Sequence, residues 1–242
     1  MQNRYTGDIG DFSKLGLLRV LDRSNLSIGI NWYLVPDEDH NSDGKFTKYL
    51  DPGQDQYREC DEELWQELSK IVQEKRRTVS ALQNDRILHA VHYAEILDFR
   101  GKKKAERDSL RTKWHAQALE TLSGINIIFT DPDNGLIVPS AEGTPRENKY
   151  VLLEELRDYY HNGSSVIYYQ HKARKKDPFY IDQHERILKD PAFCDASGML
   201  LKFTPSSQRY YCFIMQPEHE RLIRKAVDQM LDTAWKHYFC LK

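Results

Sequence analysis

Residues Asp131-Pro132-Asp133-Asn134-Gly135 set two carboxylates and a carboxamide directly behind the apolar run at 125–130. Acids and an amide in such a loop accept hydrogen bonds from an amine, or ligate a hard cation through oxygen. The same five residues also make a good turn, since proline fixes φ and Asn-Gly enters left-handed conformations. Two further apolar runs end in comparable chemistry. The run at 27–35 empties into Pro36-Asp37-Glu38-Asp39-His40, and the run at 165–169 into Gln170-His171-Lys172. In open α/β sheets ligands bind outside the carboxyl ends of the strands. If these three strands are neighbours, carboxylates, an amide and an imidazole converge on one edge.

The elements that must position them follow from periodicity. Phe12, Leu15, Leu18 and Leu21 recur at helical spacing with Asp11 as N-cap, and Leu64, Trp65, Leu68, Ile71 and Val72 do so behind Asp61. Leu110, Trp114, Ala118 and Leu122 predict a helix closed by Gly124, and Val151, Leu152, Leu156 and Tyr159 one that ends near Gly163. A further helix is expected near 179–189. Residues 37–55 read as a long polar loop, while 79–99 fit either a helix or a short strand and helix. The runs at 199–203 and 210–215, separated by Pro205-Ser-Ser-Gln208, predict an antiparallel hairpin, and Leu222, Ile223, Ala226, Met230 and Leu231 a terminal helix. The expected fold is α/β: a Rossmann-like doubly wound sheet, mostly parallel, with a C-terminal antiparallel hairpin and a terminal helix. It forms a single domain over 1–242, with a helical insertion around 56–123.

Composition narrows the function classes. The 242 residues carry 35 basic and 37 acidic side chains, a net charge of -2, so a nucleic-acid surface has to be a local patch. Lys102-Lys-Lys104 with Arg107, Arg111 and Lys113 form one such patch; Lys172, Arg174, Lys175 and Lys176 form the other, beside a strand-end loop and near Tyr168, Tyr169 and Phe179. No run approaches a membrane span and no apolar leader opens the chain. Cys60, Cys194, Cys212 and Cys240 lack metal or disulfide spacing, which suggests reduced thiols in a cytoplasmic protein, with Cys194 and Cys212 in or near the core. Gly7-Asp8-Ile9-Gly10-Asp11-Phe12-Ser13-Lys14 opens the first helix and offers close approach to an anion, without a Walker A ending. His89 and His92 are more simply ordinary residues than a ligand pair.

In order along the chain, Gly10-Asp11-Phe12-Ser13-Lys14, the strand ending near 35, Asp131-Pro132 and Val166-Ile-Tyr-Tyr-Gln-His-Lys172 resemble the 23S ribosomal RNA adenine-N6 methyltransferases. There a Gly-Asn-x-x-Asp-x-x-Lys-like stretch precedes the first Rossmann strand. A later strand ends in Asp-Pro-Pro-Tyr, and another reads Trp-Tyr-Pro before a basic residue. The resemblance spans about residues 5–215. It implies a fold that binds S-adenosylmethionine, with Lys14 near the cofactor and Asp131 at the target amine. Pro36-Asp-Glu-Asp-His40 replaces the family's glycine-rich loop. Pro132-Asp133-Asn134 replaces Pro-Pro-Tyr, removing the aromatic that stacks on a flipped base, so the catalytic motif is degenerate.

Three readings follow. In the first, the chain is a methyltransferase-like protein acting on nucleic acid or a nucleotide, dependent on S-adenosylmethionine. Asp131, Asp133, Asn134 and His171 would be catalytic, Lys14, Asp37 and Glu38 would hold the cofactor, and Tyr169, Gln170, Lys172 and Arg174 would hold substrate. In the second, Asp37, Glu38, Asp131 and Asp133 bind Mg²⁺ or Mn²⁺ and His171 assists phosphodiester cleavage. The third is a non-catalytic binding module. The methyl acceptor and the oligomeric state are not written in the sequence.

Overall fold

Apolar residues on both sides of a strand require a sheet covered on both faces. In the computed structural model, which describes residues 1–38, 44–84 and 86–242, the strands are β1 (Ile28–Asn31), β2 (Val91–Tyr93), β3 (Ile127–Thr130), β4 (Gly135–Leu136), β5 (Tyr150–Val151), β6 (Ser165–His171), β7 (Ser197–Phe203), β8 (Arg209–Met215) and β9 (Phe239–Leu241). Strands β4 and β5 pair with each other, and the other seven form one sheet in the order β2-β1-β3-β6-β8-β7-β9. Pairing is parallel from β2 through β6. It is antiparallel at β6–β8, β8–β7 and β7–β9, so only β8 and β9 run against the rest.

The helices are α1 (Ile9–Asp22), α2 (Asp55–Arg58), α3 (Glu62–Gln73), α4 (Val79–Leu82), α5 (Lys104–Thr121), α6 (Leu153–His161), α7 (Asp177–Leu188) and α8 (Pro217–Leu231). Alternate strand residues divide the core between the two faces. Ile127, Phe129 and Ile167 pack with Phe12 of α1, Leu68 of α3 and Ile223 of α8. Ile128, Val166 and Tyr168 pack with Trp114 of α5, Leu156 of α6 and Tyr180 of α7. The expected α/β class, the central sheet and the C-terminal hairpin are therefore present.

Several local expectations change. Asp8, not Asp11, caps α1, accepting from the backbone amides of Gly10 and Asp11. The first strand keeps only four residues, because Tyr33 turns the chain at φ 44° and Val35 N donates to Met1 O. Within 79–99 the chain makes α4 and the edge strand β2, so the stretch at 56–123 is not wholly helical. Cys212 is buried but Cys194 is exposed. Asp39 and His40 lie outside the described residues. Among those described, no helix is long and apolar enough to cross a membrane.

Burial on the α7 face has a measurable consequence. His184 sits between Tyr168, whose hydroxyl lies 3.2 Å from its Nδ1, and β7, and burial pushes its pKa down to about 4. An unfolded histidine titrates near 6.5, so the unfolded chain binds the extra proton first as pH falls. The stability contributed by neutral His184 is complete above about pH 6.5 and lost toward pH 4, amounting to roughly 2 kcal/mol at pH 5. Urea unfolding of wild type and His184→Gln at pH 7.5 and 5 should show a steeper acid loss in wild type. Equal slopes would mean that another group sets the acid limit.

Candidate functional site

Strand β1 lies between β2 and β3, so the chain crosses from one side of β1 to the other. A reversal of this kind opens a crevice at the carboxyl ends of the strands. The amino end of α1, the loop after β3, the end of β6 and the start of β8 all meet at that edge. They enclose a cavity of about 340 Å³ lined by Asp8, Asp11, Lys14, Glu38, Asp131, Asp133, Asn134, Lys149, Tyr169, His171 and Arg209, among others.

Lys14 is the hinge of the buried charge. Its helix places Asp11 one turn before it, and the ammonium lies 2.9 Å from Asp11 Oδ1 and is also hydrogen-bonded to Asp131 Oδ2. The aliphatic stem is enclosed, leaving the residue 4% exposed, and Trp32 presents its ring 5.6 Å from Nζ. Burial by itself would lower the lysine pKa, but the two carboxylates outweigh it and hold the ammonium charged well above its usual range. Burial raises both the Asp11 and Asp131 carboxyls, opposed by Lys14. Two acids thus share one cation.

The neighbouring acid has a separate partner. The Met1 amino group lies 2.7 Å from Asp133 Oδ1 and donates to the carbonyl oxygens of Tyr33 and Asp131, both at 3.0 Å. Gln2 Nε2 donates to Asp133 Oδ2 at 2.7 Å. Burial works against the charged form of Asp133, yet the Met1 ammonium and these bonds hold its pKa below the ordinary carboxylate value. Met1 Sδ lies 3.7 Å from Lys14 Nζ.

The loop from 131 to 136 is fixed from behind by Gln170. Its Oε1 accepts from Leu136 N at 3.0 Å, and its Nε2 donates to Asn134 O at 3.2 Å. Gly135 stands at φ 107°, where a side chain would also collide with the Gln170 amide. The glycine is therefore required by both conformation and space. Asn134 lines the cavity, and among the described residues its hydrogen bonds are made by its backbone atoms.

Of the residues singled out in the sequence, Lys14, Glu38, Asp131, Asp133, Asn134, Tyr169 and His171 come together around this cavity. Gln170 holds the loop rather than lining the space. Asp37 accepts from Arg4 N at 3.2 Å, Lys172 Nζ lies 3.8 Å from Asp177, and Arg174 is exposed; these three are not in the lining. The four acids of the metal reading each have another partner: Asp37 the Arg4 amide, Glu38 Lys149, Asp131 Lys14 and Asp133 Met1. Among the described residues no cluster of three or more His, Cys, Asp or Glu side chains could hold a metal.

Met1, Asp8, Asp11, Phe46, Lys149 and Arg209 escaped the sequence reading as site residues. Asp8 and Asp11 did lie in the stretch flagged for anion approach. Arg209 carried a fainter signal, a cation directly before the apolar run at 210–215. No protein-family model, curated protein or solved structure matches the chain in comparisons with known proteins.

Proposed function

We propose that the chain is a methyltransferase-like protein of Rossmann-like design that acts on nucleic acid or a nucleotide and depends on S-adenosylmethionine. The observation that carries this reading is the meeting of Lys14 and Asp131 at the strand-order reversal, across a sequence separation of 117. Those are the residues that the methyltransferase resemblance sets near the cofactor and at the target amine. The reversal itself fits a fold that takes a nucleotide-like ligand at the strand ends. Support for a nucleic-acid substrate comes from the basic stretch at 172–176, tied to the cavity rim by Lys172 N donating to Gln208 O at 3.0 Å.

The crevice already suits one end of the cosubstrate. It holds the α-amino group of Met1 on two carbonyl oxygens and a carboxylate, with the thioether sulfur 3.7 Å from Lys14 Nζ. A methionyl ammonium is what S-adenosylmethionine carries there, so Tyr33 O, Asp131 O and Asp133 would hold it once Met1 moved aside. Glu38 would accept from ribose hydroxyls, and the Asn134 carboxamide and Asp131 would orient a target amine. Lys14 acts through Asp131, keeping the loop and its carbonyl in place. Bound there, S-adenosylmethionine would supply an electrophilic methyl group.

Thermal unfolding with S-adenosylmethionine, S-adenosylhomocysteine and Mn²⁺ tests the reading. Either sulfur ligand at about 100 times its dissociation constant should add roughly 2.7 kcal/mol of stability. No shift and no calorimetric heat with either would overturn it. A shift with Mn²⁺ alone, abolished by Asp131→Ala, would restore the metal-dependent phosphodiester reading.

A further inference from the structure

Arg209 lines the cavity as a deeply buried cation. The residue is 4% exposed, and among the described residues it makes no ion pair. Its Nε and Nη2 both donate to Ser207 O, at 2.9 and 2.7 Å, and the guanidinium lies 5.7 Å from the Phe203 ring. Those contacts fix the plane of the fork but occupy only two of its five N–H groups. Nη1 lies against Gly10, where a Cβ would overlap it, so the start of α1 is shaped around the arginine. Asp8 and Asp11 lie near enough to favour its charged form, but each is engaged elsewhere: Asp8 accepts from the α1 amides, and Asp11 accepts from Gly7 N and ion-pairs with Lys14. A buried guanidinium with acids near it but paired to neither keeps three N–H groups to offer, and an oxyanion is the ligand they fit.

We infer that Arg209 anchors a phosphate-binding subsite, on the hairpin side of the cavity, for the phosphate of a mononucleotide or of a nucleic-acid strand. The surroundings favour phosphate borne by a nucleotide. Phe46, 49% exposed, stands at the rim. Beyond it a second, mainly apolar cavity of about 500 Å³ is lined by Tyr49 and Tyr57, with Lys45 and Lys48 at its edge. Phe46 lines both spaces, and the Pro205-Ser206-Ser207 turn runs along both. A base against the aromatic side and a phosphate on Arg209 would span that ridge. The subsite stands independently of S-adenosylmethionine binding.

Calorimetric titration with adenosine, AMP, inorganic phosphate and a single-stranded RNA tetranucleotide tests it. Wild type should bind AMP at least tenfold tighter than adenosine, and Arg209→Met should erase that preference. Gly10→Ala keeps the arginine but displaces its Nη1, so it should weaken AMP similarly even if Arg209→Met fails to fold. Phe46→Ala should weaken AMP while leaving inorganic phosphate unchanged. Tighter binding of the tetranucleotide than of AMP would assign the phosphate to a strand; the reverse would assign it to a free nucleotide. Equal affinity of wild type for AMP and adenosine would overturn the proposal. So would binding of none of the four, or an AMP preference that persists in folded Arg209→Met and Gly10→Ala.

Discussion

Lys14→Met should destabilise the fold by about 3–5 kcal/mol near neutral pH, because it leaves two buried carboxylates without their cation. Methionine retains much of the stem's volume, so the change isolates the charge from the packing. Burial already raises the Asp11 and Asp131 carboxyls in wild type, where Lys14 opposes the rise. In the variant that opposition is gone and both carboxyls rise further. A carboxyl whose folded pKa exceeds its unfolded value binds more protons when folded, so stability falls as pH rises through that window and returns as pH drops. The deficit of Lys14→Met should therefore shrink steadily on acidification. Urea unfolding of both proteins from pH 8 to 4.5 measures it. A deficit that stays constant with pH would assign the loss to packing of the lysine stem, and the shared-cation account would fail.

The second large effect lies on the opposite face of the sheet. Arg111 and Glu155 form a buried two-pronged pair, with both N···O distances at 2.8 Å. Arg111 also donates to the carbonyl oxygens of Glu147 and Tyr150, and Glu155 accepts from Tyr33 Oη at 2.9 Å. Burial would raise the Glu155 pKa, but the guanidinium outweighs it and holds the carboxylate below its usual range. Glu155→Ala strands a buried guanidinium and a tyrosine hydroxyl together, at a cost of about 3–5 kcal/mol. Arg111→Met should cost a similar amount. The double variant should be well short of the sum, since neither charge is then left alone. Denaturant midpoints of the four proteins close the cycle, and strict additivity would show that the two side chains act separately. The pair also bears on the site, because Tyr33 at φ 44° supplies one of the carbonyls that hold Met1.

What the sequence made legible depended on how local the causes were. Strands β3, β6, β7 and β8 are continuous apolar runs closed by turn residues, and α3 carries a regular apolar face behind Asp61, so pattern alone located them. The choice between Asp8 and Asp11 as cap was not local. Both lie before the same helix, and Asp11 is drawn away by Lys14, which in turn is placed by Asp131. Strand β2 has three residues and leaves Val91 40% exposed, so it carried no alternation to read. The loop at 131–135 stood out by composition, but its acids' partners did not. Met1, Gln2 and Lys14 reach it from the other end of the chain. Arg209 was hidden for the same reason, since its burial depends on Gly10 and on a turn that only the folded sheet brings near.

The distances along the chain that hid the site also set its order of assembly. Strands β7 and β8 meet through a short turn, and β6 joins β8 across α7 and β7, from His171 to Arg209 at the nearest, whereas the first bond between the β1 and β3 segments, Ser27 to Asn126, spans a separation of 99. Closing a loop of that length carries more chain entropy than closing the hairpin, by about 0.6 kcal/mol for each doubling. Contacts of large sequence separation form slowly. The C-terminal half can collapse on its own pairings while α1 and β1, earlier in the chain, wait for β3 to arrive. Met1 and Lys14 reach the 131–133 loop across separations of 130 and 117, so the crevice forms with the long-range contacts rather than with the hairpin.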